Sequence, residues 1–244
     1  MKALWAIYLR GLIILKSRIG KTLVSFFLSP VLYALAFGWG VGRSLDVEGV
    51  PYLTFMLPGL IALSGMNQSF SIAAEINISR FFSHFFEEYL LSPTRDYIVV
   101  LGNILYGVTK GLGSFGAVII IGFCFGVVPG SGFMIIIPVL LNSIMFSSLG
   151  VLIALTVKNH RDMSSFTSFV ITPMSFIAGT FFSLEGLPGV FQILSEIIPL
   201  THSSLTIRAL FLGRSAAVYH YLIMAAYTLL FFFLAVRQVR KAVT

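Results

Sequence analysis

The chain has 244 residues, of which 57% are hydrophobic and only 10% are charged, and its mean hydropathy is +0.97. This balance excludes an ordinary soluble domain. The formal net charge of +7 could suggest nucleic-acid binding. Because the 16 Lys and Arg residues lie at the ends of apolar runs and not on a polar face, we expect no nucleic-acid partner.

Six stretches of the sequence are apolar enough to cross a bilayer. A hydrocarbon core of roughly 30 Å needs about 20 helical residues, and backbone in lipid must satisfy its own hydrogen bonds. The stretches lie near residues 22–42, 53–75, 98–128, 133–157, 163–183 and 218–236. The sequence therefore predicts an all-α polytopic membrane protein with six transmembrane helices, forming a single transmembrane domain over residues 1–244.

The positive charges predict the orientation of these helices. With both termini inside, the cytoplasmic positions hold twelve cations: Lys2, Arg10, Lys16, Arg18, Lys21, Arg80, Arg95, Lys158, Arg161, Arg237, Arg240 and Lys241. The outside holds Arg43, Arg208 and Arg214, and Lys110 lies within or at the edge of the third span. Since basic residues favour the cytoplasmic side, both termini are predicted to be cytoplasmic.

Residues 1–21 are apolar but interrupted by cations, so they are too broken to span the membrane. We interpret them as an interfacial helix whose cations Arg10, Lys16, Arg18 and Lys21 reach the headgroup region. A frayed basic tail is the alternative. The same cations interrupt any signal-peptide core, so no cleavable signal is expected.

Within the segment 184–217, between the fifth and sixth predicted spans, residues 187–200 are apolar yet too short to span. Proline bounds its first half at Pro188 and Pro199. We predict a pair of short re-entrant or interfacial helices on the outer side.

The sequence contains no recognisable catalytic or metal-binding pattern. Residues 19–22, Ile-Gly-Lys-Thr, match half of a phosphate-binding loop, but Leu15 stands where the first Gly is required. The four histidines, His84, His160, His202 and His220, are scattered without ligand spacing. We therefore expect neither a metal nor a cofactor in this chain, and no enzymatic activity of its own.

Two charges lie at the membrane edge, where ionisable groups are costly and often functional. Glu75 ends the second predicted span and Lys110 enters the third. We hypothesise that they pair or bond a neighbouring backbone; independent snorkelling to the interface is the alternative. The spacing Gly107-x-x-x-Gly111 in the third span would allow close helix approach.

The segment 80–96 is the longest charged stretch assigned to the cytoplasm. It is aromatic, then acidic, and ends in Ser-Pro-Thr-Arg. Phe85, Phe86, Tyr89 and Leu90 can share one helical face, which predicts an exposed apolar knob in need of a partner. A helix lying flat on the lipid is the alternative.

Several motifs together resemble the membrane subunits of type-2 ABC exporters, which serve lipo-oligosaccharide, polysaccharide and drug export. The resemblance covers essentially the full chain. It rests on the basic N-terminal segment and on the motifs Phe55-Met-Leu-Pro-Gly-Leu60, Glu87-Glu-Tyr-Leu-Leu-Ser-Pro-Thr-Arg95, Leu101-Gly-Asn103, Asp162, Thr172-Pro-Met-Ser-Phe176, Gly179-Thr-Phe-Phe-Ser183, Leu187-Pro188, Ile198-Pro-Leu-Thr-His202 and Ile207-Arg-Ala-Leu-Phe-Leu-Gly213.

The resemblance implies partners and roles for particular residues. The chain would pair with a second permease copy, in a homodimer, and with two separate ATPase subunits that bind ATP and Mg. A coupling helix that docks into the ATPase would comprise Phe85, Phe86, Glu87, Glu88, Tyr89, Leu90, Leu91, Ser92, Pro93, Thr94 and Arg95. The basic N-terminal helix would be the elbow on the inner leaflet.

The transport path of this family lies at the dimer interface, lined largely by the second and fifth spans. Polarity and position give the candidates Asn67, Gln68, Ser71, Thr172, Ser175 and Phe176. The expected function is outward movement of an amphipathic or lipid-linked substrate across a prokaryotic plasma membrane.

Two other classes of protein compete with this reading. A non-transporting membrane scaffold or assembly factor is the first, and an intramembrane enzyme, which would need a clustered polar site, is the second. An ion-driven carrier is disfavoured because mid-membrane carboxylates are missing.

Overall fold

The computed structural model describes residues 2–42, 45–81, 94–130, 132–186 and 188–243, and these are predominantly helical. In chain order the α-helices are α1 (Lys2–Ser17), α2 (Ile19–Tyr33), α3 (Tyr52–Phe70), α4 (Ile72–Phe81), α5 (Asp96–Cys124), α6 (Ile136–Thr156), α7 (His160–Phe166), α8 (Thr172–Ile177), α9 (Gly189–Ile197), α10 (Pro199–Phe211) and α11 (Val218–Val243).

Shorter elements complete the chain. Helix α2 continues into a π-helical segment, Ala34–Val41, and a second one, Thr167–Ile171, joins α7 to α8. Short 3-10 helices cover Gly132–Ile135 and Leu184–Gly186. A small antiparallel hairpin, β1 (Asp46–Val47) and β2 (Val50–Pro51), precedes α3.

Four helices of the described residues are long and apolar enough to cross a membrane. They are Ile19–Gly38, Asp96–Cys124, Gly132–Thr156 and Val218–Lys241. This finding confirms an all-α, multi-pass membrane protein. The prediction of six spans with both termini inside stays a prediction.

The second predicted span, 53–75, has a different character from these four helices. It is broken at Ser71 into α3 and α4, and fifteen of the nineteen residues of α3 are buried. Helix α3 packs against α5, α6 and α10, so protein surrounds it. Two of the few residues of α3 that are not buried, Asn67 and Gln68, are polar and lie near its end.

The fifth predicted span, 163–183, is also shorter than expected. The helical run from α7 through the π-helical turn to α8 begins at His160 and ends at Ile177. Gly179 follows with a φ of +67°, a conformation that favours glycine. The remaining residues of the predicted span form the connection that leads to α9.

Small residues allow the central helices to approach closely. A Cβ placed on Gly107 would lie 2.3 Å from Ser147 Oγ, and one on Gly111 would lie 2.3 Å from Ser69 Oγ. Helix α5 therefore contacts α3 and α6 through its Gly107-x-x-x-Gly111 face, as the spacing predicts.

Helix α1 is ordered against α5 and is not a frayed tail. The hydroxyls of Tyr8 and Thr109 lie 3.1 Å apart, and Gly11 packs on the ring of Tyr106. Lys16, Arg18 and Lys21 are exposed around the junction between α1 and α2, whereas Arg10 is half-buried. The location of α1 at the inner leaflet stays a prediction.

The two short helices predicted between the fifth and sixth spans are present, as α9 and α10. Helix α9 is amphipathic, with Val190, Ile193 and Ile197 exposed. Helix α10 departs from an interfacial position, because ten of its thirteen residues are buried in the core.

Candidate functional site

A groove separates the end of α3 and the start of α4 from the helical run that begins at His160. Its volume is about 390 Å³. One part of its lining is polar and the other apolar. The polar residues are Asn67, Ser71, His160, Ser164, Thr167 and Ser168, and the apolar ones are Phe70, Ala74, Met163 and Ile171.

Two of the six predicted path residues, Asn67 and Ser71, line this groove. Gln68 lies on another side of α3, where its Nε2 donates to the carbonyl of Ser25 at 3.2 Å. The helical run that begins at His160 forms the second wall of the groove. Further along this run lie the other three candidates, Thr172, Ser175 and Phe176, which do not line the groove.

The side chains of those three residues are engaged locally or exposed. Ser175 is buried and donates to the carbonyl of Ile171 at 2.8 Å. Thr172 is exposed and donates to the carbonyl of Thr167 at 3.2 Å. The ring of Phe176, which is 49% exposed, lies 5.9 Å from that of Phe181.

The second wall contains polar residues that the sequence interpretation missed. His160, Ser164, Thr167 and Ser168 follow the spacing i, i+4, i+7 and i+8, which places them on one helical face. A search for polar periodicity would have found this face. His160 also bridges the walls, because its Nδ1 lies 3.1 Å from Oδ1 of the buried Asn77 on α4.

An ion pair contacts the groove through Ser71. Lys110 Nζ lies 2.7 Å from Glu75 Oε1, and the Lys110 side chain is 8% exposed against 34% for Glu75. Lys110 also donates to the hydroxyl of Ser71, and the Tyr106 hydroxyl donates to Glu75 Oε2 at 2.9 Å. The structure thus contains the pair that the sequence left open against independent snorkelling.

This network links the groove to α5. Ser71 sits at the break between α3 and α4, and its hydroxyl donates to the carbonyl of Gln68 at 2.7 Å. The same oxygen accepts the bond from Lys110. A charge on α5 therefore contacts the residue at which the second predicted span is interrupted.

Arg80 anchors the end of α4 to the end of α6. Its guanidinium donates to the carbonyl of Ala154 and, at 3.5 Å, to that of Val157. A cation is favourable there because the last carbonyls of a helix have no intrahelical partners. Arg80 thereby positions the point from which the chain continues into segment 82–93.

Most of the predicted coupling helix lies outside the described residues. Of its eleven residues, the structure describes Thr94 and Arg95, which directly precede α5. Arg95 Nη1 donates to the hydroxyl of Tyr97 at 3.4 Å. The coupling role of the segment stays a prediction.

One cation of the predicted outer region was misjudged from sequence. Arg208, counted as a loop cation, is 4% exposed within α10. Burial lowers its pKa to about 10, and the Glu48 carboxylate acts in the opposite direction, so the guanidinium stays charged at neutral pH. Its charge faces backbone carbonyls instead of water.

The scattered spacing of the histidines did not reveal that two of them are close in space. His202 and His220 lie 18 residues apart in sequence, yet their Nδ1 atoms are 2.8 Å apart. Among the described residues, no group of three or more His, Cys, Asp or Glu side chains could hold a metal ion.

Comparison with known proteins identifies the family. Residues 2–212 match the family described as ABC-2 type transporter. The chain belongs to this family. The permease is therefore a membrane transport subunit, and the family is not one of catalytic enzymes.

Two relatives illustrate the similarity, one named as a transport permease and one as a nodulation protein. Inner membrane transport permease YadH of Escherichia coli K12 is 29% identical over 197 residues, which cover 79% of this chain and 76% of YadH. Nodulation protein J of Rhizobium meliloti is 28% identical over 222 residues, covering 87% of this chain and 83% of the relative.

Proposed function

We propose that this permease is the membrane subunit of an ATP-driven exporter that moves an amphipathic or lipid-linked molecule outward. The observation that carries the proposal is the family match over residues 2–212 together with the half-polar groove between the second and fifth predicted spans. Hydrolysis of ATP would take place on a separate partner subunit.

The proposed assembly contains two copies of the permease and two ATPase subunits, in a prokaryotic inner membrane. The name of YadH, an inner membrane transport permease, supports this location. Six spans with cytoplasmic termini would place the end of α4 and the start of α5 on the cytoplasmic side. Segment 82–93, which connects them, could then reach the ATPase.

The groove would form part of the substrate path. Its hydroxyl, amide and imidazole groups can exchange hydrogen bonds with a polar headgroup, whereas Phe70, Met163 and Ile171 offer contact to an acyl or aromatic portion. A groove with both characters suits an amphipathic molecule better than a simple ion or a sugar alone.

The first experiment tests the partner. The permease is purified in mild detergent from native membranes, and the ATPase subunit is expected to copurify at about equal stoichiometry. Leu90→Asp should release it, because a buried charge at an apolar contact is costly. The control is Leu45→Asp, since Leu45 is 48% exposed and lies beside the β1–β2 hairpin, on the predicted outer side.

The outcomes separate the candidate functions. Release by Leu90→Asp and retention by Leu45→Asp support the exporter. Absence of an ATPase under several detergents would contradict the proposal and favour a membrane scaffold.

A second experiment tests the groove. In the intact permease–ATPase complex, Ser168→Trp should fill the groove and abolish stimulation of ATP hydrolysis by a panel of lipid-linked and amphipathic compounds. Ser165→Trp is the matched control, because Ser165 is exposed on the same helix and is not among the groove-lining residues. Equal stimulation in Ser168→Trp and the wild type would remove the groove from the path.

A further inference from the structure

A second cavity lies at the other end of the molecule from Ser71, between the short helices and the start of the last helix. Its volume is about 550 Å³, and it shares no lining residue with the groove. Residues of α9, α10 and the first turn of α11 form most of its wall, and Glu48 and Ser183 close one side.

Arg208 is the buried charge of this cavity. Its Nε donates to the Phe55 carbonyl at 3.2 Å, and its Nη2 donates to the carbonyls of Gly179 at 2.7 Å and Thr180 at 3.3 Å. The guanidinium also lies 3.9 Å from the centre of the Phe55 ring. These contacts hold the side chain rigidly in place.

The contacts of Arg208 leave its charge without a counter-ion. They involve neutral carbonyls and a ring, and in the described part of the chain no carboxylate lies within ion-pair distance of it. Its third nitrogen, Nη1, makes no hydrogen bond to a described residue. A buried guanidinium with a spare donor on a cavity wall favours an anionic oxygen as its partner.

The nearest acidic group of the wall is already engaged. Glu48 Oε1 accepts a hydrogen bond from Ser183 Oγ at 2.8 Å, and Glu48 Oε2 lies 3.6 Å from Arg214 Nη1. Because both carboxylate oxygens of Glu48 have these partners, Glu48 does not act as the counter-ion of Arg208. Arg214 adds a second, exposed guanidinium to the same cavity.

The histidine pair, His202 and His220, forms part of the wall. His202 Nε2 lies 2.8 Å from the carbonyl of Glu196, so that nitrogen must carry a proton. In the neutral pair His202 Nδ1 then accepts from Nδ1–H of His220. Glu196 is an exposed residue of the wall, whereas Arg208 is a buried charge that a ligand would meet.

We infer that this cavity binds an anionic oxygen group, a phosphate or a carboxylate, that accepts hydrogen bonds from Arg208. The volume of about 550 Å³ is far larger than such a group and lies within the range of sites for small molecules. The anionic group is therefore the end of a larger molecule, such as a phospholipid headgroup or the charged end of a transported molecule. This inference concerns binding and does not depend on transport.

The test measures ligand-induced stabilisation of the purified full-length permease. A ligand that binds the folded state raises the melting temperature with concentration. One arm uses inorganic phosphate against chloride at matched ionic strength. The other uses nanodiscs that contain phosphatidylglycerol or phosphatidylcholine, so that soluble and lipid-borne sources of the phosphate group are distinguished.

Two variants connect the effect to the cavity. Arg208→Gln removes the charge and should weaken binding at least tenfold, the scale of one charge-assisted hydrogen bond. Because that variant also loses contacts of the fold, Ser215→Trp blocks the cavity from an exposed position without touching Arg208. Ala217→Trp is its control, since Ala217 is exposed and does not line the cavity.

Stabilisation by phosphate, or by phosphatidylglycerol alone, that Ser215→Trp abolishes and Ala217→Trp preserves would support the anion site and identify its source. Absence of stabilisation in both arms would overturn it. Equal stabilisation of the wild type and Ser215→Trp would also overturn it, because the ligand would then bind elsewhere.

Discussion

Replacing Glu75 should lower the free energy of unfolding more than replacing its partner Lys110. In Glu75→Gln the ammonium of Lys110, whose side chain is 8% exposed, loses its counter-ion and keeps the hydroxyl of Ser71. Removal of one partner of a buried pair typically costs about 3–5 kcal/mol. We expect a loss in the free energy of unfolding near the lower end of that range.

Lys110→Met should cost less. Glu75 is 34% exposed, can reach water, and keeps the hydrogen bond from Tyr106 at 2.9 Å. The expected loss is about 1–2 kcal/mol, comparable with that of a hydrogen bond to a charged group. The double variant should recover most of the stability, because replacing both ions by neutral groups of similar size is often close to neutral.

The assay is a double-mutant cycle on the purified permease, with unfolding in mixed micelles followed by circular dichroism. The expected coupling energy is about 3 kcal/mol, most of the summed single losses and well above the limit of about 0.5 kcal/mol within which independent sites add. Additive single effects would refute the reasoning. The charge-reversed pair, Glu75→Lys with Lys110→Glu, gives a second check through recovery of function.

Two further predictions concern stability. Gly59→Ala should destabilise the permease by about 1–3 kcal/mol, because the added Cβ would lie 2.4 Å from the Thr180 carbonyl oxygen. The control, Gly116→Ala, should be neutral or slightly stabilising, because nothing lies within 4 Å of its added Cβ. Equal melting temperatures for the two variants would refute the clash. Tyr52→Phe should lower the free energy of unfolding by about 1–3 kcal/mol, because the buried carbonyl of Phe181 would lose the hydrogen bond that it accepts from the Tyr52 hydroxyl at 2.7 Å. Tyr227→Phe, which removes an exposed bond of the same length, should cost less than half as much, and the reverse order in denaturant titrations would contradict the argument.

Hydropathy predicted the long continuous helices more reliably than the interrupted second and fifth predicted spans. The segments 98–128 and 133–157 correspond closely to α5 and to the run Gly132–Thr156. The second predicted span could be placed but not delimited, because its break at Ser71 involves a contact with Lys110 of α5 that hydropathy does not report.

The site was harder to predict, because its residues meet only in three dimensions. The charge count placed Arg208 outside, since counting assumes that cations near a loop face water. Its burial depends on carbonyls supplied by α3 and by the end of the fifth predicted span. The contact between His202 and His220 likewise depends on how α10 docks against α11, which the spacing of the two residues does not reveal.

The contact between Gly59 and Thr180 has a mechanical consequence. There the backbones of the second and fifth predicted spans touch without an intervening side chain, whereas about 18 Å further along, near Ser71, a groove separates them. Beyond the groove, the His160–Asn77 hydrogen bond joins the two spans again. Widening of the groove would therefore have to break this hydrogen bond, while the contact at Gly59 contains no side chain that could rearrange.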